Sequence, residues 1–145
     1  MDYQEYVKYE PFLARRAWAA ILDYLLYLGI FIAYVTFFGT PNEQGMLEAK
    51  GIQHILGVLI LWILYFPGRE GMFGFTLFKG LFDLKIAPER RKDPRFVVAF
   101  KRHLLDPIDF FFFGIVAIIL VKTREDHKRL GDMLAHSRVV LDKKD

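Results

Sequence analysis

Arg16 and Asp23 lie seven residues apart at the start of a long apolar run, RAWAAILDYLLYLGIFIAYVTFF. At 3.6 residues per turn they share one helix face, about 10 Å apart along the axis. A carboxylate two turns inside such a run is costly and must face a partner, water or a proton. Burial raises its pKa and a nearby guanidinium lowers it, so the pair could hold a proton or a monovalent cation. The same pair could equally be a structural clamp, with Arg16 reaching along the helix or with Arg102 or Lys79 arriving from elsewhere. Arg102 and Asp109 repeat the seven-residue spacing, and Asp106 and Asp109 flank Pro107. A crossed pairing is expected, Arg16 with Asp109 and Asp23 with Arg102. Together with Asp23 the two later aspartates could form a carboxylate cluster. Asp106 also suits a helix cap ahead of Pro107. Arg129 and Asp132, three apart, read as a surface pair on one helix face.

Other chemistries find little support. The four histidines, His54, His103, His127 and His136, include no pair at the i, i+4 spacing of a helical metal site. His54, near the start of the second apolar run, is the one histidine placed to carry a proton. Ser137 is the sole serine, and no nucleophile motif, phosphate loop or dinucleotide fingerprint occurs. No enzyme activity, metal or cofactor is therefore expected.

The chain has 145 residues, enough for one domain, with 54% hydrophobic and 17% aromatic residues gathered in runs. That clustering points to a membrane protein. The absence of cysteine excludes disulfides and thiol chemistry, and a net charge of +3 is too small to suggest nucleic acid. The opening MDYQEYVKYEP is mixed and acidic, unlike a signal peptide, so the first apolar segment is expected to stay as an anchor.

The elements follow from the runs and their punctuation. Residues 1–11 read as an interfacial arm bearing Tyr3, Tyr6 and Tyr9. Helix one is expected over 13–38, and GTPNEQG is a loop. The run Ile52 to Phe66 spans only about 22 Å, so helix two is extended back to 46–66 to match a bilayer core. A glycine-punctuated connection covers 67–95 and contains a short strand, Leu81 to Ala87. An amphipathic helix follows, with Phe96, Val97, Phe100 and Leu104 on one side and Lys101, Arg102 and His103 on the other. The Asp106-Pro107 step interrupts it. The third apolar run, ending at Val121, is about 21 Å long and reads as short or bent. The tail 122–145 holds an amphipathic piece and a strand, SRVVLD.

Lys and Arg number three through Arg16, one in the first loop, nine from Pro67 to Arg102 and seven after Val121. The positive-inside rule places the N-terminus and the long connection inside. A basic tail then calls for an even number of crossings, with the third run a re-entrant or tilted half-span, or with Phe96 to Val121 forming two short arms bent at Asp106-Pro107. Pairing of the two strands demands the same.

Three segments, RRAWAAILD, GFTLFK and FKRHLLDPIDFFFF with RLGDMLAHSRVV, resemble the RDD family of small bacterial membrane proteins, named for one arginine and two aspartates. The resemblance runs from about Phe12 to Val140 and maps the signature onto Arg16, Asp23 and Asp132. It maps Gly74, Thr76 and Lys79 onto a Gly-x-Thr-x-Gly-Lys element. Phe78 stands where the family usually has glycine, and Asp83 where a second glycine is common. The resemblance implies a multi-pass protein of the bacterial cytoplasmic membrane, with transport, and sodium/proton exchange in some members, as the proposed activity. It suggests that Asp132 ties the closing segment to the membrane helices.

The expected fold is an all-α membrane protein with two clear crossings, a third short apolar helix, an amphipathic helix and a small cytoplasmic β-pair. Two functions stand open. One is transport of a monovalent cation, proton or small solute through the buried Arg/Asp groups, which in so short a chain requires self-assembly. The other is a structural or accessory protein that binds a partner or lipid, with its charges acting as clamps.

Overall fold

A computed structural model describes residues 12–90, 92–109 and 114–142. The N-terminal aromatic arm lies outside the described residues, as does the side chain of Asp109. Helix α1 runs over Leu13–Phe38, its 26 residues spanning about 39 Å. Its only buried residues are Ala19 and Asp23. Leucine, isoleucine and phenylalanine side chains cover the outside.

Residues 46–51, expected as the start of helix two, fold otherwise. The Asn42 side-chain oxygen accepts the backbone N–H groups of Gln44 and Met46 at 2.9 and 3.0 Å. This Asx turn closes a small hairpin in which β1 (Thr40–Pro41) pairs antiparallel with β2 (Leu47–Glu48). Helix α2 then begins at Ile52 and runs to Ile63. The length reappears at the other end. A π-helical turn, Leu64–Gly68, carries the chain past Pro67 into α3 (Arg69–Phe73). The wider turn accommodates the proline's missing N–H. The continuous helical stretch Ile52–Phe73 is 22 residues long, enough to cross a bilayer.

Beyond the left-handed Gly74 come α4 (Leu77–Leu81) and β3 (Leu84–Pro88). Strand β3 pairs antiparallel with β4 (Ser137–Leu141), so the expected β-pair forms. Asp83 opens β3 with φ of 56°, in the left-handed region that glycine favours. That geometry explains the glycine common there in the family. Asp83→Val should cost about 1–2 kcal/mol and Asp83→Gly much less, an order that thermal melting of the two variants checks.

Helix α5 (Arg95–Leu104) buries a face that cuts across the two sides read from the sequence. Val98, Ala99, Arg102 and His103 face inward, while Phe96 and Leu104 are 47% and 54% exposed. The inward arginine is paired with Glu70 and Asp132, and the outward phenylalanine is compatible with apolar surroundings. The third apolar run is broken, as expected. Helix α6 covers Asp106–Asp109, and α7 (Ile115–Thr123) starts at the left-handed Gly114. Nine residues reach only about 13 Å. The run leaves from Asp106 and returns to Arg129, and these two residues form an ion pair at 2.7 Å. Both ends of the run therefore sit at one level. Helix α8 (Leu130–Leu134) packs on α5 and leads into β4.

Candidate functional site

The charges gather at one end of the long helices, opposite the β1–β2 hairpin. Asp132, on α8, is fully buried and joins three elements. Its Oδ2 accepts from Arg16 on α1 at 2.7 Å, and its Oδ1 lies 2.5 Å from Arg102 on α5. Arg16 also donates to the His127 carbonyl at 2.8 Å. Burial pushes the Asp132 carboxyl up, but Arg102, Arg16 and Arg129 overcome it and bring it down to about 2. The first arginine and the last aspartate of the family signature thus pair with each other.

Glu70 is the second hub, and sequence reasoning missed it. It lies inside the Ile52–Phe73 stretch and accepts from Lys79 at 2.6 Å, Arg102 at 2.8 Å and His103 at 3.3 Å. Ending the helix at Phe66, where the apolar run stops, hid the signal. Proline is tolerated in membrane-crossing helices, and continuing the helix would have exposed a second acid within it. Burial lowers the Lys79 ammonium, and Glu70 pulls it back up.

The third hub is Asp106, whose carboxylate is taken up by side chains rather than by a helix cap. It accepts from Tyr24 at 2.6 Å and lies 2.6 Å from His103 and 2.7 Å from Arg129. Burial opposes its ionisation, yet Arg129 and the bonds from His103 and Tyr24 hold it well below the usual carboxylate range. Both ring nitrogens of His103 face carboxylates, Asp106 and Glu70. Arg102 completes its set with Ser137 at 3.1 Å, which ties β4 to the centre.

Asp23 differs from these three. It is 2% exposed, and its hydrogen bonds come from neutral donors: the Tyr65 hydroxyl at 2.7 Å, the Thr76 hydroxyl, and the Phe78 backbone N–H at 3.2 Å. The expected Asp23–Arg102 pair does not form, since Glu70 and Asp132 claim the guanidinium. Among the described residues no Lys or Arg nitrogen reaches Asp23 within ion-pair distance. Its Phe78 contact is through backbone, so phenylalanine in place of the family glycine leaves the bond intact. A cavity of about 150 Å³ adjoins Asp23, with Lys79, Arg102 and Arg129 on its polar wall and Ala17, Ala117 and Val121 on the apolar one. It has room for several waters.

Gly74 supplies the left-handed turn that swings Thr76 onto Asp23. His54 lies apart, near the hairpin, 3.1 Å from the Tyr34 hydroxyl. Gly131 sets the approach of α8 to α5, for a Cβ there would meet the Arg102 carbonyl oxygen. Gly131→Ala should cost about 1–3 kcal/mol, read as a lower melting temperature in detergent.

Two helices of bilayer length, apolar outside and joined at one end by buried ion pairs, make a mostly helical fold compatible with a membrane protein. The chain belongs to the RDD family, whose model matches residues 11–136. No curated protein and no solved structure matches it.

Proposed function

We propose that this is an integral membrane protein that crosses the bilayer twice and handles a proton or a monovalent cation at Asp23. The inversion of its surface supports the membrane reading. Arg102, Asp132, Glu70 and Asp106 are buried, while Trp18, Leu25, Ile32 and Ile55 stand open on the long helices. Water would reverse that distribution. The return of the third run to Arg129 supports an even crossing number. With the positive-inside rule it favours both chain ends in the cytoplasm of a bacterial cell.

One observation carries the ion-handling reading: Asp23 is the buried carboxylate whose charge no contacting cation cancels. It faces a cavity, so a proton or a small cation can neutralise it. The remaining pairs are clamps that hold α5, α8 and the β-pair against the long helices. Since the cavity is small, a transport path requires self-assembly.

Proteoliposome flux tests this reading. Wild type should exchange H⁺ or Na⁺ above empty liposomes, and Asp23→Asn should lose at least tenfold while keeping its fold. Undiminished flux in Asp23→Asn would remove Asp23 from the coupling role. The second reading is a non-transporting accessory protein that binds a partner or lipid. It is favoured by the saturation of every hub except Asp23, and absence of wild-type flux would select it.

A further inference from the structure

Arg69 stands outside the clamp network. Its Nε is buried without a hydrogen-bond partner, and no ion pair reaches its guanidinium among the described residues. Among the described residues the other buried side-chain polar atom in that condition, Asp132 Oδ1, has Arg102 at 2.5 Å. A buried orphan donor in a native fold calls for an explanation. The guanidinium lies over the Phe73 ring, 5.3 Å from its centre, and is half-buried. The side chains around it on the same stretch, Leu64, Met72 and Phe73, are 63%, 74% and 51% exposed. Arg69 sits four residues from the end of the bilayer-length stretch at Phe73, on the side where the charged centre lies. That is headgroup depth, with lipid-facing aromatics alongside.

We propose that Arg69 binds the phosphodiester of a phospholipid headgroup, with Phe73 and Met72 against the upper acyl chain. A guanidinium presents a planar fork that matches phosphate oxygens, and an aromatic ring beneath it fixes its plane. Among the described residues no carboxylate pairs with it, whereas Arg16, Arg102 and Arg129 all hold carboxylates. The proposal rests on the reading of Ile52–Phe73 as a crossing helix. Extraction of the protein from membranes by detergent, and not by salt or alkali, checks that reading separately.

Native mass spectrometry of the detergent-solubilised protein provides the test, using phosphatidylglycerol and a diacylglycerol with the same acyl chains. Wild type should retain one phosphatidylglycerol and release diacylglycerol. Arg69→Gln should weaken retention about tenfold or more, and Arg69→Lys less. Inorganic phosphate alone should neither bind nor compete at millimolar concentration. Equal retention of phosphatidylglycerol by Arg69→Gln, or equal retention of both lipids by wild type, would overturn the proposal. Competition by inorganic phosphate would show a free-anion site instead. Since Arg69 makes no ion pair, Arg69→Gln should melt like wild type. If it does not fold, wild type alone decides, because its melting temperature should rise with phosphatidylglycerol and not with diacylglycerol.

Discussion

Arg102→Met is expected to destabilise the protein by about 3–5 kcal/mol, the cost of breaking a buried pair by removing one partner. Arg102 is fully buried, and its guanidinium serves Glu70, Asp132 and Ser137 at once. Methionine of similar length fills the space but leaves two carboxylates short of a cation. Lys79 still holds Glu70 and Arg16 still holds Asp132, which keeps the loss from being larger. Arg102→Lys should recover only part, since one ammonium cannot span three acceptors in the guanidinium's fork geometry. Denaturant titration in detergent micelles, compared at equal protein concentration, reads both variants. A loss below about 1 kcal/mol for Arg102→Met would mean that the charges around it relax to water.

Asp132→Asn should be comparably severe, again about 3–5 kcal/mol. The carboxylate is shared by Arg16 and Arg102, and the Arg129 Nε lies 3.5 Å away. The amide neutralises none of them and turns a donor towards cations that have none to accept. The substitution also changes the response to acid. The folded pKa of Asp132, about 2, lies below the ordinary value of about 3.9, so its stabilisation is fully present above about pH 4. It is lost as pH falls from about 4 through about 2. Asp106, depressed in the same direction, adds to that acid limb. Asp132→Asn should therefore lose less stability than wild type between pH 4 and pH 2. Combining it with Arg16→Gln should cost less than the two singles together, by about 0.5–3 kcal/mol of coupling.

Much of the frame was legible in the sequence, and the failures share a cause. Helix α1 was legible at both ends because a single uninterrupted apolar run makes it. The β3–β4 pair could be found from alternation. The second helix was ended too early, because its apolar run stops at Phe66 while the backbone carries on through Pro67 in a π turn. The start of that helix was misplaced because bilayer length was sought upstream, where Asn42 and Gly45 build a hairpin instead. The inward face of α5 was not legible, since amphipathicity says which residues share a face but not which face is buried. Spacing likewise put Arg16 and Asp23 on one side of a helix without naming their partners. Those come from α8, from the Leu64–Gly68 turn and from the start of α4, distant in sequence, and depend on how Gly131 and Gly74 let the segments approach. The signature residues Arg16, Asp23 and Asp132 do converge on one end of the fold, but in two separate arrangements: a clamp and a carboxylate held by neutral donors.

That division can be measured through stability alone. Chemical unfolding of Asp23→Asn in the same detergent as Asp132→Asn compares the two signature aspartates directly. Asparagine at 23 keeps one oxygen for the Tyr65 hydroxyl and the Phe78 N–H, its amide NH2 can donate to the Thr76 hydroxyl oxygen instead of accepting from it, and it strands no cation. Its loss should stay within about 1–2 kcal/mol, the scale of a weakened buried hydrogen bond, against about 3–5 kcal/mol for Asp132→Asn. Equal losses in the two variants would contradict the account, for Asp23 would then be one more clamp and not the group left open to an ion.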